Sequence, residues 1–179
     1  PALRKDVEGS YDSRSLAVSL EQVIAIRSGI LEVTMRTFDP DVLIVDGVPR
    51  GTAYELDAAL KSLRAKGHTR CVLGLRDVLD EPATVRRQWR AARNEDAIRD
   101  YYDAVWVYGD PKVYDLVAEY DLSAEVAAKV TYTGYLDYRR RQRFSECSEL
   151  QAALLDSPEK IALCMLGGGE DGDRLATAF

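Results

Sequence analysis

The amino-acid sequence predicts an α/β fold with a doubly wound, mostly parallel Rossmann-like sheet. Short runs of apolar residues, such as 42–45 and 71–75, alternate along the chain with longer stretches whose apolar residues recur every three or four positions. The short runs are apolar throughout, so the strands they form need cover on both faces, and helices between parallel strands supply it. Glycine and aspartate close several of the runs, marking turns at the strand ends.

Between residues 13 and 38, Leu16, Leu20, Val23, Ile24, Ile30, Leu31, Met35 and Phe38 follow helical spacing and predict an amphipathic helix, with Gly29 weakening it locally. Residues 41–46 read as a buried strand that runs into a turn at Gly47 and Pro49. Thr52 and Glu55 stand three apart in the pattern of a capping box. Leu56, Leu60 and Leu63 then make an inward stripe, and Gly67 supplies the stop. The alternation continues with a strand at 71–75, helices from Pro82 and from Asn94, a strand at 105–108, a helix at 111–119 and a strand at 130–133.

Residues 137–159 turn polar, with Arg139, Arg140, Arg141 and Arg143 clustered, before an apolar run at 161–166 meets three glycines. A domain boundary is expected in that stretch, and the chain of 179 residues has room for one full core with an appendage. Beginning at Pro1 and ending at Phe179 inside an apparent helix, it reads as a fragment. The formal net charge of −6 disfavours nucleic acid and anionic membranes as partners, and no window reaches the roughly 18 apolar residues of a membrane span. Cys71, Cys147 and Cys164 lack metal-ligand spacing and fit a reduced, cytoplasmic protein with no metal site.

In an open parallel sheet, ligands bind beyond the carboxyl ends of the strands. The residues there are Asp46 with Gly47, Arg76 with Asp77, Tyr108 with Gly109, Gly134 with Tyr135, and the loop Gly167, Gly168, Gly169, Glu170, Asp171 and Gly172. Arg76 offers a planar fork of donors for a phosphate or carboxylate, and Asp46 or Asp77 could take a proton from a hydroxyl. The same residues also fit a strand-end ion pair and turn-forming acids. Tyr108 and Tyr135 suit stacking on a sugar ring or a wet edge of the core. The glycine loop suits phosphate binding, although its two acids would repel phosphate and favour hydroxyl contacts. His68 lies away from this rim and is expected to be solvated, as is the arginine cluster.

The segments PDVLIVDGVPRGTAYEL, VLGLRDVLD, YYDAVWVYGDPKVYD, YTGYL and GGGEDG together resemble the predicted bacterial glycosyltransferases of the GT-B fold, distantly like the peptidoglycan GlcNAc transferase. The resemblance implies a Rossmann-like acceptor-side domain at 1–137 lacking its first strand, a linker at 138–159, and the opening of a nucleotide-sugar donor domain at 160–179. It also implies a nucleotide diphosphate sugar as substrate, no separate cofactor, and a site divided between two domains, so that the chain alone would be inactive. Asp46, Arg76 and Asp77 would carry catalysis, Tyr108, Gly109, Gly134 and Tyr135 would bind substrate, and residues 167–172 would hold the donor's phosphate and sugar.

Three other readings remain open. The stretch from Asp41 to Leu56 also resembles the phosphoacceptor strand of a response-regulator receiver, with Asp46 phosphorylated, although no acidic pair accompanies it and Arg76 and Tyr108 replace the expected partners. Non-hydrolysing sugar-nucleotide epimerases share the two-domain plan. A non-enzymatic module that self-associates through an open sheet edge is the third.

Overall fold

The computed structural model describes residues 3–5, 11–13, 18–135 and 177. The chain divides into two units, Pro1 with Ser15–Leu136, and Ala2–Arg14 with Asp137–Phe179. Of the latter, the described part is Thr177 and a short antiparallel pair, β1 (Leu3–Lys5) and β2 (Tyr11–Ser13), in which Arg4 stands opposite Asp12. The arginine cluster, the apolar run at 161–166, the glycine loop and Cys147 and Cys164 lie outside the described residues.

The larger unit opens with helix α1 (Leu20–Phe38). The sequence pattern extends this helix back to Ser13, but that residue belongs to β2. The helix starts where Ser19 and Gln22 close a reciprocal capping box: the Gln22 N–H donates to Ser19 Oγ at 3.3 Å and the Ser19 N–H to Gln22 Oε1 at 3.1 Å. Asp39 ends it in the left-handed conformation.

Strand β3 (Val42–Asp46) follows, then a single 3-10 turn (Thr52–Tyr54), helix α2 (Asp57–Lys66) and strand β4 (Arg70–Arg76). The expected capping box at Thr52 and Glu55 does not form. Ala53 and Tyr54 both take positive φ, the turn has no side-chain cap, and the Glu55 carboxylate instead pairs with Arg27 of α1. At the other end of α2, Gly67 adopts φ +81° and donates to the Leu63 carbonyl at 3.0 Å, as its place after Lys66 predicts.

Helices α3 (Pro82–Ala92) and α4 (Asn94–Tyr101) lead to β5 (Ala104–Tyr108). The two helices meet at Arg93, whose left-handed backbone turns the chain without a loop. After β5, the helix expected at 111–119 shrinks to α5 (Leu116–Glu119), because Asp115 caps it and residues 111–113 form a turn. Helix α6 (Ala124–Ala127), too short to leave a periodic signature, precedes β6 (Val130–Tyr132).

The four strands form one sheet in the order β3-β4-β5-β6, with every neighbouring pair parallel. The fold is thus the α/β, Rossmann-like architecture that the alternation predicts. Register places Val45, Leu73, Val105 and Val130 in one row across the sheet, with Leu75, Val107 and Tyr132 in the next row on the same face. Leu60 and Leu63 of α2, Val85 of α3, Ile98 of α4, Leu116 of α5 and Val126 of α6 pack against that face and complete the core. On the opposite face, Val42 and Ile44 of β3 are about half exposed among the described residues, at 52% and 51%.

Side chains tie the helices to the strands. Lys129 Nζ donates to the carbonyls of Ile98, Arg99 and Tyr102, closing the C-terminal end of α4 where helical carbonyls lack partners. The buried Tyr102 hydroxyl donates to the Pro49 carbonyl, fixing the turn after β3 against α4. Asp103 accepts from the Cys71 N–H at 2.8 Å.

Candidate functional site

Because all four strands run the same way, their carboxyl ends share one edge of the sheet. The register sets Asp46 beside Gly74 and Arg76 beside Tyr108. The described site residues therefore gather along one rim, in two groups.

The first group holds Asp77, Gly109, Gly134 and Tyr135. The Tyr135 hydroxyl donates to Asp77 Oδ2 at 2.8 Å, and the Val78 N–H donates to Oδ1 at 2.8 Å. The hydrogen bond from Tyr135, followed by that from Val78, holds the Asp77 carboxyl below its ordinary pKa, and the same contact pushes the Tyr135 hydroxyl up. Gly109 makes the approach possible: a β-carbon there would lie 2.7 Å from the Asp77 β-carbon. The Gly134 N–H donates to the Gly109 carbonyl at 3.0 Å, carrying the chain past β6 back over the rim.

The second group holds Asp46, Arg76 and Tyr108. The hydroxyl end of Tyr108 lies over Gly74, where a β-carbon would come 2.0 Å from its oxygen. Burial raises the pKa of this hydroxyl first, and the nearby Asp46 carboxylate adds to the effect. Asp46 is exposed at the end of β3, where the following Gly47 turns at φ +86° and donates to the Gly74 carbonyl. The Arg76 guanidinium is exposed on the same rim.

Sequence reasoning does not find Tyr114 and Tyr120, which brace the loop after Asp77. The Tyr120 hydroxyl accepts the Leu79 N–H at 2.9 Å and donates to the Asp80 carbonyl at 3.0 Å. The Tyr114 ring sits 6.1 Å from that of Tyr120. Tyr114 lies just before α5 and Tyr120 just after it, outside any periodic run, so no local pattern marks them. Arg50 is a second such residue. It pairs with Asp57, donates to the Ala92 carbonyl at 2.7 Å and lies 4.1 Å above the Tyr54 ring, holding the positive-φ turn after β3.

His68 stands 3.4 Å from Asp39 near the amino end of β4, off the rim. No family model, curated protein or solved structure matches the chain. The rim offers the carboxylates of Asp46 and Asp77 in different settings, the exposed Arg76 and two tyrosine rings with polar edges. Such a surface can hold a polyhydroxylated ligand, with Asp77 accepting from hydroxyls, Arg76 meeting an anion and the rings lying against a sugar. Among the described residues, no group of three His, Cys, Asp or Glu side chains is placed to hold a metal ion, and no helix is long and apolar enough to cross a membrane.

Proposed function

We propose that this chain is the acceptor-side part of a glycosyltransferase that moves a sugar from a nucleotide diphosphate donor to a hydroxyl acceptor. The observation that carries the reading is the pairing of Tyr135 with Asp77 over Gly109 at the carboxyl edge of a parallel sheet. It leaves an ionised carboxylate beside an exposed arginine, a combination suited to a sugar hydroxyl and a phosphate.

The two acids take different parts. Asp77, already accepting two hydrogen bonds and held low in pKa, is a poor base but a firm acceptor that orients a hydroxyl. Asp46, exposed and beside the Tyr108 hydroxyl, is the proton acceptor. Arg76 neutralises charge on the departing phosphate. The donor's nucleotide is held by the partner domain of the two-domain plan, so transfer requires both domains. Residues 167–172 open that second domain in this reading.

The test is sugar transfer from UDP-, GDP- and dTDP-sugars, assayed with the 179-residue chain and with a longer, two-domain protein carrying it, which this reading requires. Expected is donor-dependent product from the longer protein alone, lowered by Arg76→Ala and by Asp77→Ala without loss of circular dichroism. Full activity in both variants would remove them from the site. Acetyl-phosphate labelling of Asp46 without any transfer would instead favour the receiver reading.

A further inference from the structure

The outer edge of β3 bears the features of an unfilled strand position. Among the described residues, β3 has β4 as its only neighbour in the sheet. The Asp41 carbonyl accepts from the Arg70 N–H and the Gly47 N–H donates to the Gly74 carbonyl, so the odd-numbered residues of β3 face β4. Backbone groups alternate along a strand, which turns the N–H and C=O of Val42, Ile44 and Asp46 outward. Beside them runs a groove of about 380 Å3, walled by Leu31 and Met35 of α1 and by Leu43, Ile44 and Val45 of β3. The Asp46 carbonyl already accepts from the Val48 N–H at 3.2 Å, but the other outward groups of Val42, Ile44 and Asp46 remain, and such a row next to an apolar slot is a template for one more β-strand.

We propose that two copies of this chain join there, β3 to β3, in an antiparallel pair whose two-fold axis passes through Ile44. The register follows from the strand itself. Directly opposite residues must share a face and the outward backbone groups belong to even-numbered residues; of the registers this allows, the one through Ile44 pairs all three of Val42, Ile44 and Asp46, setting Ile44 against its own copy and Val42 against Asp46. Each Ile44 N–H then meets the other copy's Ile44 carbonyl, and each Asp46 N–H meets the other's Val42 carbonyl. The single acid of β3 falls opposite a valine, not opposite its own copy, so no like charges meet. Between Val42 and Val45 the strand carries only β-branched residues and leucine, which favour sheet formation. Joining the copies extends the four-stranded sheet to eight strands and covers the half-exposed Val42 and Ile44. This pairing does not rest on the glycosyl-transfer reading: it uses the backbone of β3, including that of Asp46, whereas the transfer reading uses only the Asp46 carboxylate.

Sedimentation velocity of the full chain over a concentration series tests it, together with hydrogen exchange of individual amides. Expected is a monomer–dimer equilibrium in which the Val42, Ile44 and Asp46 amides exchange slowly in the dimer and fast on dilution. The Leu43 and Val45 amides stay protected in both states. Ile44→Lys and Ile44→Pro shift the equilibrium to monomer, the proline removing an outward N–H without breaking the β3–β4 ladder. A monomer at every concentration would overturn the proposal. So would a dimer in which the Val42, Ile44 and Asp46 amides exchange fast, and that readout needs no variant to fold.

Discussion

At the scale of single residues, the rim depends on one hydrogen bond that spans 58 positions of sequence, from Tyr135 to Asp77. Tyr135→Phe removes the donor that contributes most to lowering the Asp77 pKa, so the carboxyl titration rises toward the ordinary value of about 3.9. Side-chain NMR of the carboxyl across an acid titration reads this directly, and an unmoved titration would show that Tyr135 does not hold Asp77. The sign for stability follows from the depressed pKa. Asp77 supports the fold above its unfolded pKa, and that support fades as the pH falls through its lower folded value. Asp77 and Tyr135 are both legible in the sequence as strand-end residues, because the carboxyl edge of a parallel sheet is where ligands gather. Their contact is not legible, since it depends on the chain turning through Gly134 at φ +74° after β6. Glu55 shows the opposite failure. Its spacing from Thr52 satisfies a local capping rule, yet a longer-range partner, Arg27, takes the carboxylate. With Glu55 only 6% exposed, Arg27→Met leaves a nearly buried carboxylate unpaired and costs about 3 kcal/mol in urea unfolding. Adding Glu55→Leu to it should recover much of the loss, and a loss below about 0.5 kcal/mol in the single variant would mean that the pair is of the exposed, weak kind.

At the scale of elements, the strands were the most readable part of the chain. Apolar-rich runs found β3, β4, β5 and β6 to within about one residue at each end, although only β4 is buried along most of its length and β3, expected to be buried, keeps Val45 alone buried because its other face is uncovered among the described residues. The helices were less so where short side-chain caps decide their ends. Ser19 rather than Ser13 starts α1, and Asp115 rather than Pro111 starts α5, since in each case a side-chain oxygen satisfies the free N–H groups of the first turn. The strands β1 and β2 escaped the sequence because three-residue segments carry no period to detect. The end of α4 depends on Lys129, whose three carbonyl partners no helical rule would assign to a residue 28 positions after Tyr101. Lys129→Met keeps the aliphatic stem and removes the charged donor, and is expected to lower stability by about 1.5–3 kcal/mol. Amide exchange should quicken first in the last turn of α4. Uniform loss of protection across the sheet would contradict a local capping role.

At the scale of the whole molecule, the parallel order of the strands and the position of the rim follow from the rhythm of the sequence, whereas the open edge of β3 does not. Strand order is a long-range property: the runs say that strands exist, but which of them lies at the edge is set by the crossovers. The proposed pairing uses that edge and the proposed chemistry uses the rim, so the two can be tested apart. Ile44→Lys should abolish pairing and leave the Asp77 titration unchanged, while Tyr135→Phe should do the reverse. The most direct test of the central claim is mass-spectrometric detection of sugar transfer from a panel of nucleotide diphosphate sugars by the two-domain protein that the proposed reading requires, compared with its Asp77→Ala form. The result in keeping with a glycosyl-transfer rim is a donor-dependent gain of one sugar mass on a hydroxyl acceptor, lowered at least about tenfold by the substitution, as expected when roughly 1.4 kcal/mol of transition-state stabilisation is lost. Equal product from both forms, or none from any donor, would contradict it.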